Sequence, residues 1–325
     1  MIEEIRLATT DEVVAELRKR STFVMVSHVK PDGDTLGAAL ALGIALKAIG
    51  KRVYYFQQDA VPRNLQFLPD TEFVSRDLPA DLPADALFVF GDMSNAARAG
   101  EYLPPVERKN ILNIDHHLGN ERFGALNYII DSEASTGSCV LLLLQAMGLA
   151  ISAPVATCLL TCIMTDTGGF MHNNTTPNVL RTGAMLMEAG ADKYEITEQI
   201  FANKRFAAQR LLGLALSAAV VEENGRYCWT YVDEAMLGNA GGDGEDTEEI
   251  VNHLRAVEGV EVAALFKDFD GAVRVSLRSS GRINVQAVAA TLGGGGHFMA
   301  SGLTYPGDRQ AAIAGVRAAL KKAGL

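Results

Sequence analysis

Apolar residues in the first half of the chain come in short unbroken runs rather than in alternation. The runs are Phe23-Val24-Met25-Val26, Arg52-Val53-Tyr54-Tyr55-Phe56, Ala86-Leu87-Phe88-Val89-Phe90, Ile111-Leu112 continuing to Ile114, and Tyr128-Ile129-Ile130. Runs of this kind suit strands buried on both faces of a parallel sheet. Between the first two lies Leu36 to Leu46, apolar on nearly every side and followed by Gly50, the pattern of a buried helix with a glycine stop. Strand, helix and strand with a short return predict a right-handed parallel crossover. Thr10-Asp11 predicts the cap of an amphipathic helix carrying Val13, Val14 and Leu17, and helical patterns recur over 140–147, 155–164 and 177–189.

The second half reads differently. A long helical stretch from Ala191 to about Val221 predicts a bridge, and the 227–232, 260–266 and 272–277 segments predict strands, the last two joined by the hairpin signal Asp270-Gly271. The acidic, glycine-rich 238–246 segment reads as a flexible linker, with Asp246 and Glu249 capping the next helix. Helices near Val285 to Leu292 and from Arg309 close the chain. The expected fold class is α/β: a doubly wound, mostly parallel sheet over 1–190, a helical linker over 191–221, and a smaller C-terminal α/β domain over 222–325.

At 325 residues the chain suits two domains. Its net charge of −10 argues against a grip on long nucleic acid, which needs clustered Lys and Arg, but leaves small anionic substrates open. There is no apolar span long enough to cross a bilayer, and the acidic start Met1-Ile2-Glu3-Glu4 lacks the features of a secretory signal. A soluble cytoplasmic enzyme without membrane association is expected, as a monomer or homodimer. Cys139, Cys158, Cys162 and Cys228 form no CxxC pair, and Cys158 and Cys162 read as buried packing thiols.

The chemistry gathers where the runs end. The first leads into Ser27-His28, then Asp32 and Asp34; the third into Gly91-Asp92; the fourth into Asp115-His116-His117. A later helical pattern ends in Thr165-Asp166. In open parallel sheets, ligands gather outside the carboxyl ends of the strands. That rim would hold five carboxylates, which repel one another unless cations neutralise them. Carboxylates and imidazoles without thiolate suit two octahedral manganese ions, with magnesium or cobalt as substitutes. Such a pair activates a water and clamps the oxygens of a phosphoryl displacement. In the second domain Arg278-Ser279-Ser280 and the run Gly293-Gly294-Gly295-Gly296-His297 offer a guanidinium, hydroxyls and backbone N–H groups to an anion.

Plainer readings compete. Asp115-His116-His117 alone could be a polar strand-end turn, and the glycine run a mobile loop, since it lacks the Lys-Ser or Lys-Thr of a P-loop. His253, His172, Lys204, Arg205 and Arg210 read as solvated or ordinarily bonded side chains.

Taken together, the motifs Ser27-His28-Val29-Lys30-Pro31-Asp32-Gly33-Asp34, Gly91-Asp92, Asp115-His116-His117 and Thr165-Asp166-Thr167-Gly168 resemble the four motifs of the DHH phosphoesterase superfamily, in its order. The Arg278-Ser279 run and Gly293 to His297 resemble the substrate domain of its RecJ-like branch, and the nearest likeness is to the stand-alone, two-domain NrnA-type oligoribonuclease and PAP phosphatase members. The resemblance implies that His28 and Asp32 hold one manganese and Asp34, His116 and Asp166 the other, with Asp92 bridging. His117 falls to the substrate side, Asp115 supports the ligands, and Arg278, Ser279, Ser280, Gly294, Gly295, Gly296 and His297 bind substrate. The implied substrates are short RNA, linear or cyclic dinucleotides, or the nucleoside bisphosphate 3′-phosphoadenosine 5′-phosphate. A RecJ-like exonuclease, a manganese pyrophosphatase and a non-catalytic nucleotide sensor are the alternatives. Phe170-Met171-His172 departs from the pattern, where an arginine or similar polar residue is expected before Asn174-Thr175-Thr176.

Overall fold

Each unbroken apolar run of the first half forms a strand of one sheet. In the computed structural model, which describes residues 7–269, 271–296 and 298–325, these strands are β1 (Thr22–Val26), β2 (Arg52–Phe56), β3 (Val74–Ser75), β4 (Leu87–Gly91), β5 (Ile111–Asp115) and β6 (Leu126–Ile129). All neighbours pair in parallel, in the order β3-β2-β1-β4-β5-β6. The order reverses between β1 and β4, which places a crevice at the carboxyl ends of those two strands. β1, β4 and β5 are buried at every position, which explains the missing alternation.

The helices of this unit are α1 (Thr10–Lys19), α2 (Gly33–Ala48), α3 (Thr136–Ala146), α4 (Ala153–Asp166), α5 (Pro177–Glu188) and α6 (Lys193–Thr197). Buried α2 packs closely on α4 because Gly37 has no side chain: a Cβ there would lie 2.6 Å from Cys162 Sγ and 2.7 Å from the Cys158 carbonyl. Both thiols are fully buried, as the pattern predicts. The cap of α1 is Thr9, in a capping box with Glu12, one residue before the expected Thr10.

The chain divides into two units, Met1–Asn203 and Lys204–Leu325. The second contains α7 (Phe206–Ser217), β7 (Val220–Glu222), β8 (Tyr227–Val232), α8 (Glu234–Ala240), α9 (Ile250–Arg255), β9 (Val262–Phe269), β10 (Ala272–Ser279), α10 (Val285–Thr291), β11 (Gly295–Gly296), β12 (Ala300–Pro306) and α11 (Arg309–Lys322). Its mixed sheet runs β11-β12-β10-β9-β8-β7, with only β8 and β9 parallel. One face packs Val273, Val275 and Leu277 with Val288 and Val316, and the other packs Cys228, Ala263 and Leu265 with Leu211, Ile250 and Leu254.

Three expectations change. The stretch 191–221 is not one bridging helix: α6 runs into a π-turn at Glu198–Ala202, and α7 starts anew at Phe206. The 238–246 segment is structured rather than a linker, because Gly241, at φ +68°, stops α8 and Asp243 caps a 3-10 turn in a box with Asp246. Asp246 therefore serves that turn and not α9, whose Glu249 makes no side-chain cap bond. The hairpin pairing of β9 with β10 is present, and Asp270 lies outside the described residues. Among the described residues no helix is long and apolar enough to cross a membrane.

Candidate functional site

The rim is assembled by short polar links between the ends of β1, β4 and β5 and the starts of α2 and α3. The His28 N–H donates to Thr35 Oγ1 at 3.3 Å, and that hydroxyl donates to the Gly91 carbonyl at 2.8 Å, joining β1, α2 and β4. Asp32 is the N-cap of α2, accepting from the amides of Asp34 and Thr35 at 3.1 and 3.0 Å. Asp34, in the first turn of α2, accepts from the amides of Thr136 and Gly137 at 2.7 and 2.9 Å, so its buried carboxylate also lies at the start of α3. Two helix N-termini thus favour its negative charge. Asp92 sits just beyond β4 in a left-handed conformation, φ +61°, with Oδ1 accepting from Thr136 Oγ1 at 3.1 Å. Asp166 is the last residue of α4.

Three sets of side chains converge among the described residues: His28, Asp32 and Asp92; Asp34, His116 and Asp166; and Asp92, His116 and His117. His28 Nε2 lies 3.6 Å from Asp32 Oδ2 and 3.4 Å from Asp92 Oδ2. His116 Nε2 lies 3.8 Å from Asp34 Oδ2, 3.6 Å from Asp92 Oδ1 and 3.2 Å from Asp166 Oδ2. The two oxygens of Asp92 therefore face different imidazoles. In both rings the other nitrogen meets a backbone carbonyl, Val29 at 2.9 Å for His28 and Glu133 at 3.3 Å for His116. An N–H donated there turns the Nε2 lone pair toward carboxylates. Both Nε2 atoms are buried and have no hydrogen-bond partner. Lone pairs and carboxylates directed at one another require a cation between them, so the donor set fits metal ions.

The charge balance agrees. Burial opposes the charged form of His28, yet the carboxylates of Asp32 and Asp92 push its pKa up to about 10. Burial likewise opposes charging His116, while Asp166, Asp34 and Asp92 push it up to about 11. Burial, with Asp166 and Asp92 nearby, pushes Asp34 well above the usual carboxylate range. Burial also raises Asp166, to about 6, against the pull of His116. Without metal, protons take the place of cations.

Asp115 stands apart from the three convergent sets. Its Oδ1 accepts from the His116 amide at 2.8 Å and from His117 Nδ1 at 2.6 Å, and its Oδ2 from Asn120 Nδ2 at 2.6 Å. Burial works against its charge, but these donors hold its pKa below the usual range. Asn120 also donates to the Asn113 side chain at 2.7 Å and the Met93 carbonyl at 2.9 Å. Thr35, Thr136, Asn113 and Asn120 escape the sequence reading because they carry no ligand chemistry. The one available signal is an amide four residues after His116.

In the second unit Arg278 is half-buried, its Nε donating to Asn252 Oδ1 at 3.1 Å. Ser279 is buried, its Oγ accepting from the Gly281 amide at 3.0 Å, whereas Ser280 is exposed. The glycine run is a hairpin rather than a free loop: β11 pairs with β12, Gly295 opposite Gly302 and Gly296 opposite Ser301. A Cβ at Gly294 would lie 2.3 Å from the Gly302 carbonyl, so that glycine is required by packing, while Gly295 faces open space. His297 lies outside the described residues.

Comparison with known proteins agrees with both halves. Residues 22–165 match the model described as DHH family, N-terminal domain, and residues 224–322 match the DHHA1 domain. The chain is 38% identical over 298 residues to the bifunctional oligoribonuclease and PAP phosphatase NrnA of Thermus thermophilus, covering 91% of this chain and 88% of that protein. The chain belongs to the DHH phosphoesterase family. This DHH protein is 24% identical to the enzyme of the same name from Bacillus subtilis, over 90% of its own length and 91% of that protein. Its fold is similar to the crystal structure of an exopolyphosphatase-related protein from Bacteroides fragilis, with a TM-score of 0.87, 27% identity, and coverage of 96% and 95% of the two chains. Its reaction class is phosphoester hydrolysis.

Proposed function

We propose that this chain is a manganese-dependent phosphoesterase that hydrolyses short oligoribonucleotides and linear dinucleotides to mononucleotides and removes the 3′-phosphate of 3′-phosphoadenosine 5′-phosphate. The observation that carries the metal dependence is the split carboxylate of Asp92, one oxygen toward His28 and the other toward His116. The substrate class rests on the similarity to the Thermus thermophilus enzyme over most of both chains.

In this reading His28 and Asp32 hold one ion, Asp34, His116 and Asp166 a second, and Asp92 both. When bound, the pair supplies Lewis acidity that lowers the pKa of water and neutralises a phosphate. The chain's own residues do the rest. Asp115 fixes the His117 tautomer through the 2.6 Å bond at Nδ1, which makes Nε2 the nitrogen that exchanges a proton with the leaving oxygen. Arg278, Ser280, the Gly295 backbone and His297 contact substrate phosphate or sugar, Ser279 braces the turn before them, and Gly294 and Gly296 let the hairpin close.

Activity on a manganese-supplemented panel of dinucleotides, longer RNA, cyclic dinucleotides, the adenosine bisphosphate and pyrophosphate tests the assignment. Mononucleotide release from dinucleotides is expected, and Asp92→Ala should abolish it, because the same carboxylate serves both proposed ion sites. Unchanged turnover in that variant would refute the bridging role, and exclusive action on pyrophosphate would refute the substrate class.

A further inference from the structure

Arg278, near the end of β10, is a cation set among neutral partners. It alternates with Val273, Val275 and Leu277, which pack on the opposite face of the sheet, so it lies on the face covered by α9. Its neighbours in register on the adjoining strands are Ala263 and Ala300, both small. Its Nε donates to Asn252 Oδ1 at 3.1 Å and its Nη1 to the Leu277 carbonyl at 3.1 Å. Both acceptors are uncharged, and Arg278 forms no ion pair among the described residues. Burial pushes its pKa down, while Glu249 and Glu248 favour its charge through space. A guanidinium carries five N–H donors; with two used in this way, one on Nη1 and both on Nη2 remain.

Asn252 stands exposed on α9, and its side-chain amide has a fixed sense. Nδ2 donates to Glu249 Oε2 at 3.3 Å while Oδ1 accepts from Arg278, so the nitrogen faces the acid and the oxygen faces the base. The reverse orientation would set an oxygen against a carboxylate and an N–H against a guanidinium, which has no acceptor. Glu249 is therefore joined to Arg278 through a neutral group and not by an ion pair. A carboxylate bonded directly to the guanidinium would compete with any other anion for the same N–H groups. The amide fixes the side chain without that competition.

We infer that Asn252 is a positioning residue for substrate: it holds Arg278 by Nε through a neutral amide, so that the unused Nη1 and Nη2 N–H groups are free to bind a phosphate group. The planar fork of a guanidinium matches two phosphate oxygens at once, and holding its stem lessens the rotamer freedom lost on binding. The inference rests on the proposed contact of Arg278 with substrate and adds the residue that prepares it.

The test uses the full-length protein with manganese and the variants Asn252→Ala, Asn252→Asp, Arg278→Ala and the double variant Asn252→Ala/Arg278→Ala. The readouts are KM and kcat for a diribonucleotide and the affinity for AMP measured by calorimetry. Asn252→Ala should raise KM and weaken AMP binding about tenfold, the scale of a hydrogen bond to a charged group, with kcat within about threefold of the parent. Asn252→Asp, nearly the same in shape, should lose at least as much, because its carboxylate pairs with the guanidinium. In the Arg278→Ala background the Asn252→Ala change should add nothing further. Additive losses in the double variant, or parental KM and AMP affinity in Asn252→Asp, would overturn the inference and leave the substrate contact of Arg278 standing. Parental values in Arg278→Ala would overturn that contact and the inference with it. Absence of dinucleotide hydrolysis would refute the proposed reaction, and the AMP affinities would still decide the positioning role.

Discussion

At Asp115 one carboxylate serves three donors, and this divides the labour of the Asp-His-His run. The sequence offers two adjacent imidazoles without saying which one faces the metal-type cluster. The rings differ in what lies behind them, a backbone carbonyl behind His116 and a carboxylate behind His117, and the proposed division rests on that difference. His116→Ala, which removes a proposed direct ligand, should therefore weaken manganese binding by at least the roughly 10–100-fold that losing a ligand's hydrogen-bond partner costs. His117→Ala should keep manganese affinity within about threefold and lower kcat by roughly 100–10,000-fold, the range of a positioned acid–base group. Calorimetry alongside turnover separates the two, and an equal loss of manganese affinity in both variants would refute the division. The titration of Asp166 gives a pH prediction. Burial raises its folded pKa to about 6, above the ordinary carboxylate range near 4, so the stability it lends the metal-free chain is complete below about pH 4 and is lost as pH rises through about 6. Bound metal requires the deprotonated form. The manganese-induced rise in Tm should accordingly be larger at pH 7.5 than at pH 5, and thermal melts with and without manganese check it. Asp166→Asn should flatten that difference.

At the scale of elements, the parallel strands were legible because burial on both faces imposes continuous apolar runs, and β1, β4 and β5 carry them in full. The strands of the second sheet were legible where their segments were long. Short β3, β7 and β11 were not, because two or three residues hold no period. Nor was β12, whose Ala300-Ser301-Gly302 opening lacks apolar character and becomes a strand by pairing with β10. Glycine positions separate packing from function here. Gly37→Ala would drive a Cβ into Cys162 and the Cys158 backbone, and should cost about 1–3 kcal/mol by overpacking. Gly294→Ala meets the Gly302 carbonyl and should cost a similar amount, whereas Gly295→Ala, facing open space, should stay within about 1 kcal/mol. Urea melts of the three variants decide the ranking, and equal destabilisation at Gly294 and Gly295 would contradict it.

Across the whole molecule, the apolar clusters of the first unit and those of the second share no residue among those described. Manganese binds residues of the first unit only in the proposed site, so it should raise the melting transition of that unit and leave the other within about 1 °C, splitting a single calorimetric peak into two. A uniform upward shift of one peak would show that the units unfold together. The sequence by itself determined the parallel sheet and the strand ends at which acids and imidazoles gather, because burial period and side-chain type are local properties of the chain. Only the tertiary structure decided that Asp34 lies at the starts of two helices, that Asp92 shows one oxygen to each of His28 and His116, and that Asn120 and Thr136 bond to the carboxylates of the cluster. Each of these depends on groups distant in sequence brought within a few ångström, and a pattern read along one chain does not contain such distances.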